Sequence, residues 1–284
     1  MLFADAHCHA NSVKGIGAKG IAEKFRKYGG WFIAFIGLSP WHYGLTPTYE
    51  NYVKTFHHVI KETIRAKRYV KTACLLGFHP ADLSKLVNVY GLRLERALRL
   101  AIRVIDYTIK LCKEGIINGI GEIGRPHYKV RPEIVVANEL IMEYVFKKIS
   151  EEKIDCIVHL HLEHGGKITV ESIENITLKH SIVKNNILFH HSKPGLIEYA
   201  LEKNFSASLP GIKELILWSV RKLKPTYVYE SDFLDDPSRP GAVIYPWAMI
   251  SYQRELLSRD RSLEEYFEKI NIDNITKLYK TEAP

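Results

Sequence analysis

The sequence predicts a (β/α)8 barrel, and three observations carry that prediction. Eight short apolar runs alternate with longer segments of helical period. Chemistry-bearing residues stand at the downstream ends of five of those runs. No linker, repeat or low-complexity tract divides the 284 residues, so one domain is expected over 1–284. Hydrophobic residues make up 46% of the chain and charged residues 25%, which suits a globular protein able to bury a full core.

The first strand is predicted over 2–9, LFADAHCH, where Asp5, His7 and His9 alternate and so share one face of a strand. The second is WFIAFIGL over 31–38, followed by a helix near 50–66. The third, YVKTACLLGFH over 69–79, leads to a helix over 91–114 with an apolar stripe of Leu94, Leu98, Ile102, Ile105 and Ile109. Arg93, Arg96, Arg99 and Arg103 recur on that helix and read as its solvated face. The fourth strand, IINGIGEIG over 116–124, ends near Glu122 and precedes a helix over 132–152. IDCIVHLH (154–161), NNILFHH (185–191), FSASL (205–209) and PTYVYESD (225–232) complete the eight. Helices are predicted near 194–203, 211–223 and 245–259. Ser262 and Glu265 have capping-box spacing, so a helical tail is expected over about 262–280.

Composition narrows the function classes. The longest uncharged stretch, Gly29 to Tyr49, is interrupted by glycine and proline, and its apolar centre is only strand-sized, so no membrane span is expected. No secretory pattern opens the chain, and Cys8, Cys74, Cys112 and Cys156 form no C-x-x-C pair. They read as reduced thiols of a cytoplasmic protein. Lys and Arg number 40 against 32 Asp and Glu, a net charge of +8 that favours anionic partners. The single glutamine, Gln253, beside abundant Lys and Glu, gives a thermophile-like composition. No obligate protein partner is inferred.

Catalytic groups of a barrel sit where its strands end. His7 and His9, Glu122, His159 and His161, His190 and His191, and Asp232 all stand at such ends, on five different strands. Imidazoles with carboxylates and no usable thiolate suit Zn, Mn, Fe or Co, and Mg where carboxylates dominate. The set exceeds what one tetrahedral ion needs, so one or two divalent ions are expected, with Glu122 in the bridging position. Such ions lower the pKa of bound water toward about 7 and so supply hydroxide; Asp232 is the candidate base for the proton. Arg125, in the loop after Glu122, is a candidate fork for an anion. His79 and His161 are candidate substrate contacts, and His191 competes with His190 for the role on the sixth strand.

In order, DAHCH, GFHP (77–80), GIGEIG (119–124), IVH (157–159), LFHH (188–191), YESD (229–232) and NITKLY (274–279) resemble the TatD-type metal-dependent hydrolases of the amidohydrolase superfamily. The resemblance spans about residues 3–279. It implies a barrel with one or two metals and hydrolysis, often of DNA phosphodiesters from an end. By motif it implies His7, His9, Glu122, His159, His190 and Asp232 as metal ligands, His190 matching the first position of the family's HCF. The family's Leu-Asp is replaced by Ala10-Asn11 after the first motif and by Arg125-Pro126 after GEIG, and GEIGRPHYKV (121–130) followed by DFLDDPSRPGAV (232–243) looks like a divergent, archaeal-like branch. The expected substrate is an anion, foremost a phosphodiester such as a DNA or RNA end. The alternatives are a carbonyl substrate (amide, lactone or aminoacyl-tRNA ester) and a metal-stabilised nucleic-acid-binding barrel without turnover. Retention of Asp232 speaks against the last.

Overall fold

Runs of β-branched and aromatic residues become strands, and the chain returns between them through helices on the outside. The computed structural model describes all 284 residues. Its strands are β1 (Phe3–His9), β2 (Gly30–Ile36), β3 (Lys71–Leu76), β4 (Gly119–Gly124), β5 (Ile157–His161), β6 (Ile187–Phe189), β7 (Ser206–Pro210), β8 (Val228–Glu230) and β9 (Phe233–Leu234). Neighbours are parallel throughout, in the order β8-β7-β6-β5-β4-β3-β2-β1-β9. Only Ser231 and Asp232 separate β8 from β9. β8 lies beside β7 and β9 beside β1, so the last staff of the barrel is a strand broken in two and the sheet curls closed through it. The eight predicted strands are all present; β9 is added to them.

The helices are α1 (Gly17–Lys27), α2 (Tyr49–Ala66), α3 (Pro80–Asn88), α4 (Leu94–Lys113), α5 (Pro132–Glu151), α6 (Lys167–Lys179), α7 (Leu196–Glu202), α8 (Lys213–Lys222), α9 (Pro246–Arg259), α10 (Glu264–Glu268) and α11 (Asn274–Tyr279). α1, α3 and α6 were not among the expected helices. On α4 the buried stripe is turned from the predicted one: Ala97, Ala101, Val104, Ile105 and Thr108 face the sheet, while Leu94, Leu98 and Ile102 flank it. Arg93, which precedes α4, and its three arginines Arg96, Arg99 and Arg103 are exposed, as a solvated face requires. The tail is helical, but Ser262 does not cap it. Asp260 accepts from the Ser262 amide at 3.0 Å, and Glu265 pairs with Lys269 instead.

Two packing features position the site. The main core fills the space between strands and helices, with Phe146, Phe189, Met142 and Phe78 fully buried. A second cluster, at the start of the strands, joins Ala4, Ala6, Phe32, Ala34 and Leu75 to Ile275, Leu278 and Tyr279 of α11. The tail thus seals one end of the barrel and leaves the strand C-termini as the open end. No helix is long and apolar enough to cross a membrane.

Candidate metal centre

The strand ends converge on Glu122. β4 presents it directly after Gly121 and two residues before Gly124, and a Cβ at Gly121 would meet the His159 Cβ at 2.7 Å, so only glycine lets β5 approach this closely. The carboxylate is 5% exposed, and each of its oxygens has its own imidazoles. Oε2 lies 3.5 Å from His7 Nε2 and 3.3 Å from His9 Nε2. Oε1 lies 3.3 Å from His161 Nδ1, 3.3 Å from His190 Nε2 and 3.6 Å from His79 Nε2. Asp232 Oδ1 closes the Oε2 side, 3.6 Å from His9 Nε2, 4.0 Å from His7 Nε2 and 3.9 Å from His190 Nε2.

The electrostatics are those of a cation site. Burial raises the Glu122 carboxyl, but the charges of His79, His190 and His7 and a bond from His161 outweigh it and hold the group well below the usual carboxylate range. Asp232 is likewise held well down, burial being overcome by hydrogen bonds to His191 and His9. Carboxylates reverse the effect of burial on two of these imidazoles. His9 is raised to about 10 by its bonds to Asp232 and Glu122, and His190 to about 9 by Glu230 and Glu122. His7, where burial prevails, falls to about 4, and His79 falls to about 3. Protons on His9 and His190 thus balance carboxylates that a divalent ion would otherwise balance. Imidazole nitrogens and carboxylate oxygens with no thiolate fit such an ion. Cys8 packs away from the centre with Ala18, Ile21 and Phe35. Three ligand atoms converge in each of the groups His7–His9–Glu122, His7–His190–Asp232 and His79–Glu122–His161.

The structure redistributes several expected roles. His159 does not reach the centre. Its ring lies one layer deeper, with Nδ1 at 3.1 Å from His7 Nδ1 and Nε2 at 3.1 Å from the Tyr279 hydroxyl. His161, expected to touch substrate, takes the place facing Glu122, because it ends β5 as His9 ends β1. Arg125 does not line the cleft. Its Nε lies 3.2 Å from Glu163 and 3.4 Å from Glu139, and Nη1 donates to Ser172 Oγ at 3.1 Å. Those two carboxylates draw the guanidinium sideways, between β4, α5 and α6. His79 serves two ends: Nδ1 accepts from the Ala81 amide at 3.0 Å, capping α3, while Nε2 faces Glu122.

His190 and His191 both approach the site. β6 has ended at Phe189, and His191 adopts a left-handed φ of 52° that turns its ring to Asp232 Oδ2 at 2.9 Å. Strand alternation therefore does not separate the pair. Asp5 leaves the face it shares with His7 on an ideal strand, because the register with β2 slips between Asp5 and Cys8. Its carboxylate accepts from the Ser231 amide at 2.8 Å and the Ser231 hydroxyl at 2.6 Å. Glu230 is the participant the sequence reading missed. Fully buried, it accepts from His190 Nδ1 at 2.9 Å and from the His191 amide at 2.8 Å. The signal was present in YESD, since Glu230 stands two residues before Asp232.

A cleft of about 570 Å³ opens over the centre, bordered by His42, Lys85, His127, Lys193 and Arg239 among others. Its three cations, Lys85, Lys193 and Arg239, have no carboxylate within 4 Å, unlike Arg125.

Known structures share this architecture. A TatD homologue from Escherichia coli superposes with a TM-score of 0.67 at 15% identity, covering 98% of each chain. A TatD-like protein from Archaeoglobus fulgidus gives 0.64 at 16% identity, covering 98% of this chain and 100% of that one. An organophosphorus hydrolase variant from Deinococcus radiodurans gives 0.62 at 12% identity, covering 98% and 92%. An uncharacterised protein of Methanocaldococcus jannaschii is 26% identical over 279 residues, 97% of this chain and 94% of that one. The family model described as TatD related DNase matches residues 4–280. With barrel, rim and ligand clusters in the places that model spans, the chain belongs to the TatD-related DNase family of metal-dependent hydrolases.

Proposed function

We propose that this protein hydrolyses phosphodiesters with the help of divalent metal bound on both sides of Glu122. The observation that supports this reading best is the division of the Glu122 oxygens. Oε2 with His7, His9 and Asp232 would hold one ion, and Oε1 with His161 and His190, assisted by His79, a second. Metal bound there would polarise a phosphoryl oxygen and a water for attack.

The chain's own groups supply the rest. Asp232 is ionised and partly open to the cleft, so its carboxylate can take the proton of an attacking water. His191 Nδ1, 2.9 Å from Asp232 Oδ2, orients that carboxylate. Lys85, Lys193 and Arg239, without carboxylate partners, would hold the charged ester and its neighbouring phosphates, the part first assigned to Arg125.

The test is turnover by full-length protein loaded with Zn²⁺ or Mn²⁺, on single-stranded DNA, an aryl phosphodiester and a lactone. Diester hydrolysis that a chelator abolishes is expected. Asp232→Asn should retain metal yet lose about 10²–10⁴-fold in kcat. Lactone turnover without diester turnover, or rates indifferent to chelation, would overturn the reading.

A further inference from the structure

We infer that Tyr279, through His159, fixes the tautomer of His7 so that its Nε2 lone pair faces the metal centre. The inference rests on the metal-site reading above and assigns a purpose to two residues of the barrel's deep layer.

The tail delivers Tyr279 into the barrel. α11 packs Ile275 and Leu278 at the starts of the strands, and the Tyr279 ring meets Phe32 with centroids 4.6 Å apart. The Tyr279 hydroxyl donates to the Ala6 carbonyl at 2.7 Å. Having given up its proton there, the oxygen can only accept from His159 Nε2 at 3.1 Å, so that nitrogen carries a proton.

The consequences run on in sequence. His159 is 0% exposed and has no carboxylate within 4 Å, so a charged imidazolium is disfavoured there. A neutral ring protonated at Nε2 has a bare Nδ1. His7 Nδ1 stands 3.1 Å from that bare nitrogen, and one proton fits between the two atoms. That proton belongs to His7, which leaves His7 Nε2 without one. His7 Nε2 is the atom facing His9 Nε2 at 3.1 Å and Glu122 Oε2 at 3.5 Å. A metal ligand needs this lone pair, and the hydrogen bond at the other ring nitrogen decides whether it is available.

Three neutral groups therefore do what a carboxylate does behind many metal-bound histidines. A carboxylate in this layer would add to the negative charge of Glu122, Glu230 and Asp232. A tyrosine oxygen sets the tautomer without adding charge. Both residues are positioning residues, since neither touches the centre.

The experiment combines a direct and an energetic readout on full-length protein. Long-range ¹⁵N–¹H correlation of the metal-free wild type should show His7 protonated at Nδ1 and His159 at Nε2. Zn²⁺ affinity, measured by competition with a chelating dye, should fall about 10- to 100-fold in Tyr279→Phe and in His159→Leu. His159→Asn, whose Oδ1 can accept from His7 Nδ1, should keep most of the affinity although it too removes a ring from the layer. A purely structural role would weaken the Leu and Asn variants alike. His7 protonated at Nε2 in the wild type, or unchanged affinity in Tyr279→Phe and His159→Leu, overturns the inference. A wild type with the expected tautomers that binds no Zn²⁺ overturns the metal-site reading and leaves the tautomer assignment standing.

Discussion

Glu230 has no solvent exposure, and its partners explain why it is kept ionised at the barrel's heart. Burial raises its carboxyl, but the charge and hydrogen bond of His190 and the charges of His7 and His191 bring it below its usual range. In return it holds His190 by Nδ1, so that Nε2 faces Glu122 and Asp232. Glu230→Gln should fold, bind Zn²⁺ about 10- to 100-fold more weakly, and change thermal stability little in the absence of metal. Chelator competition beside a melting curve measures both, and undiminished affinity would remove Glu230 from the site. The same residues set the pH dependence of loading. His9 and His190 are raised to about 10 and about 9, so near neutral pH both carry protons that an entering cation must displace. Affinity should therefore rise with pH up to about 9–10, and calorimetry in buffers of different ionisation heat should show protons released on binding. Affinity that does not change with pH would mean these two rings are not ligands. At this scale the sequence was partly legible. Strand ends and His-x-His alternation pointed to His7, His9, Glu122 and Asp232, and to His190 only through its match to the family's HCF. The resemblance ranked His159 above His161 as a ligand, and the structure reverses that order although both lie on the same strand. Their roles depend on depth in the barrel, and Tyr279, 120 residues away from His159, fills the deeper layer.

β1 is tied to the end of the sheet by Asp5 in addition to its backbone pairing with β9. Asp5 Oδ1 accepts from the Ser231 amide at 2.8 Å and the His7 amide at 3.2 Å, and Oδ2 accepts from the Ser231 hydroxyl at 2.6 Å. Burial nonetheless raises the carboxyl from 3.8 to about 7. The folded chain thus keeps a proton that the unfolded chain has already lost, so between about pH 4 and 7 this group makes stability fall as pH rises. Asp5→Asn keeps an acceptor oxygen and has no proton to lose; its denaturation midpoints should lack that part of the slope. Asp5→Ala leaves the Ser231 amide unpaired and its hydroxyl with only the His7 carbonyl at 3.3 Å, and should cost about 1–3 kcal/mol at any pH. Equal slopes in wild type and Asp5→Asn would refute the assignment. Arg125 is the corresponding tie on the other side, joining the end of β4 to Glu139 of α5 and to Glu163 ahead of α6. Arg125→Ala leaves two carboxylates facing each other and should cost about 1–3 kcal/mol, or roughly 2–4 °C in Tm per kcal/mol. Its loss of kcat/KM should be the same for charged and neutral esters; a selective loss on diesters would return it to the substrate site. Elements were legible where local pattern and tertiary role agree, as in β2 or α5. They were not where the two part. α6 carries Ile168, Thr169, Val170, Ile173, Ile176 and Thr177, a β-branched set that only packing holds helical. α1 opens with Gly17 and includes Gly20, and β9 is two residues long and exists through its pairing with Cys8 and His9.

Over the whole molecule the net charge of +8 is spread over a surface where many lysines and arginines pair with carboxylates, whereas the cleft keeps three cations free of them. Lys85 comes from α3, Lys193 from the loop after β6 and Arg239 from the loop after β9, so they stand around the mouth and not in one patch. The Lys85 ammonium lies 4.5 Å from the centre of the Trp41 ring, which holds it at the rim. That these cations stand free could not be read from the sequence, because freedom from carboxylates is a property of the assembled barrel. An anionic ester approaching this mouth is attracted by all three at once, and the attraction is screened within about 10 Å at 0.1 M salt. The kcat/KM on a phosphodiester should therefore fall as salt is raised from about 0.02 to 0.5 M, mainly through KM, while that on a neutral ester should hardly change. Lys85→Ala, Lys193→Ala and Arg239→Ala together should lower the low-salt value on the diester by about 10-fold or more and flatten its salt dependence. The net charge of the triple variant stays positive, since +8 loses only three, so a surviving salt dependence would assign the attraction to the molecule's overall charge. A flattened one would assign it to the mouth. Equal salt dependence for charged and neutral esters in the wild type would deny the cleft any electrostatic preference, and the phosphodiester reading would lose its support from the cations.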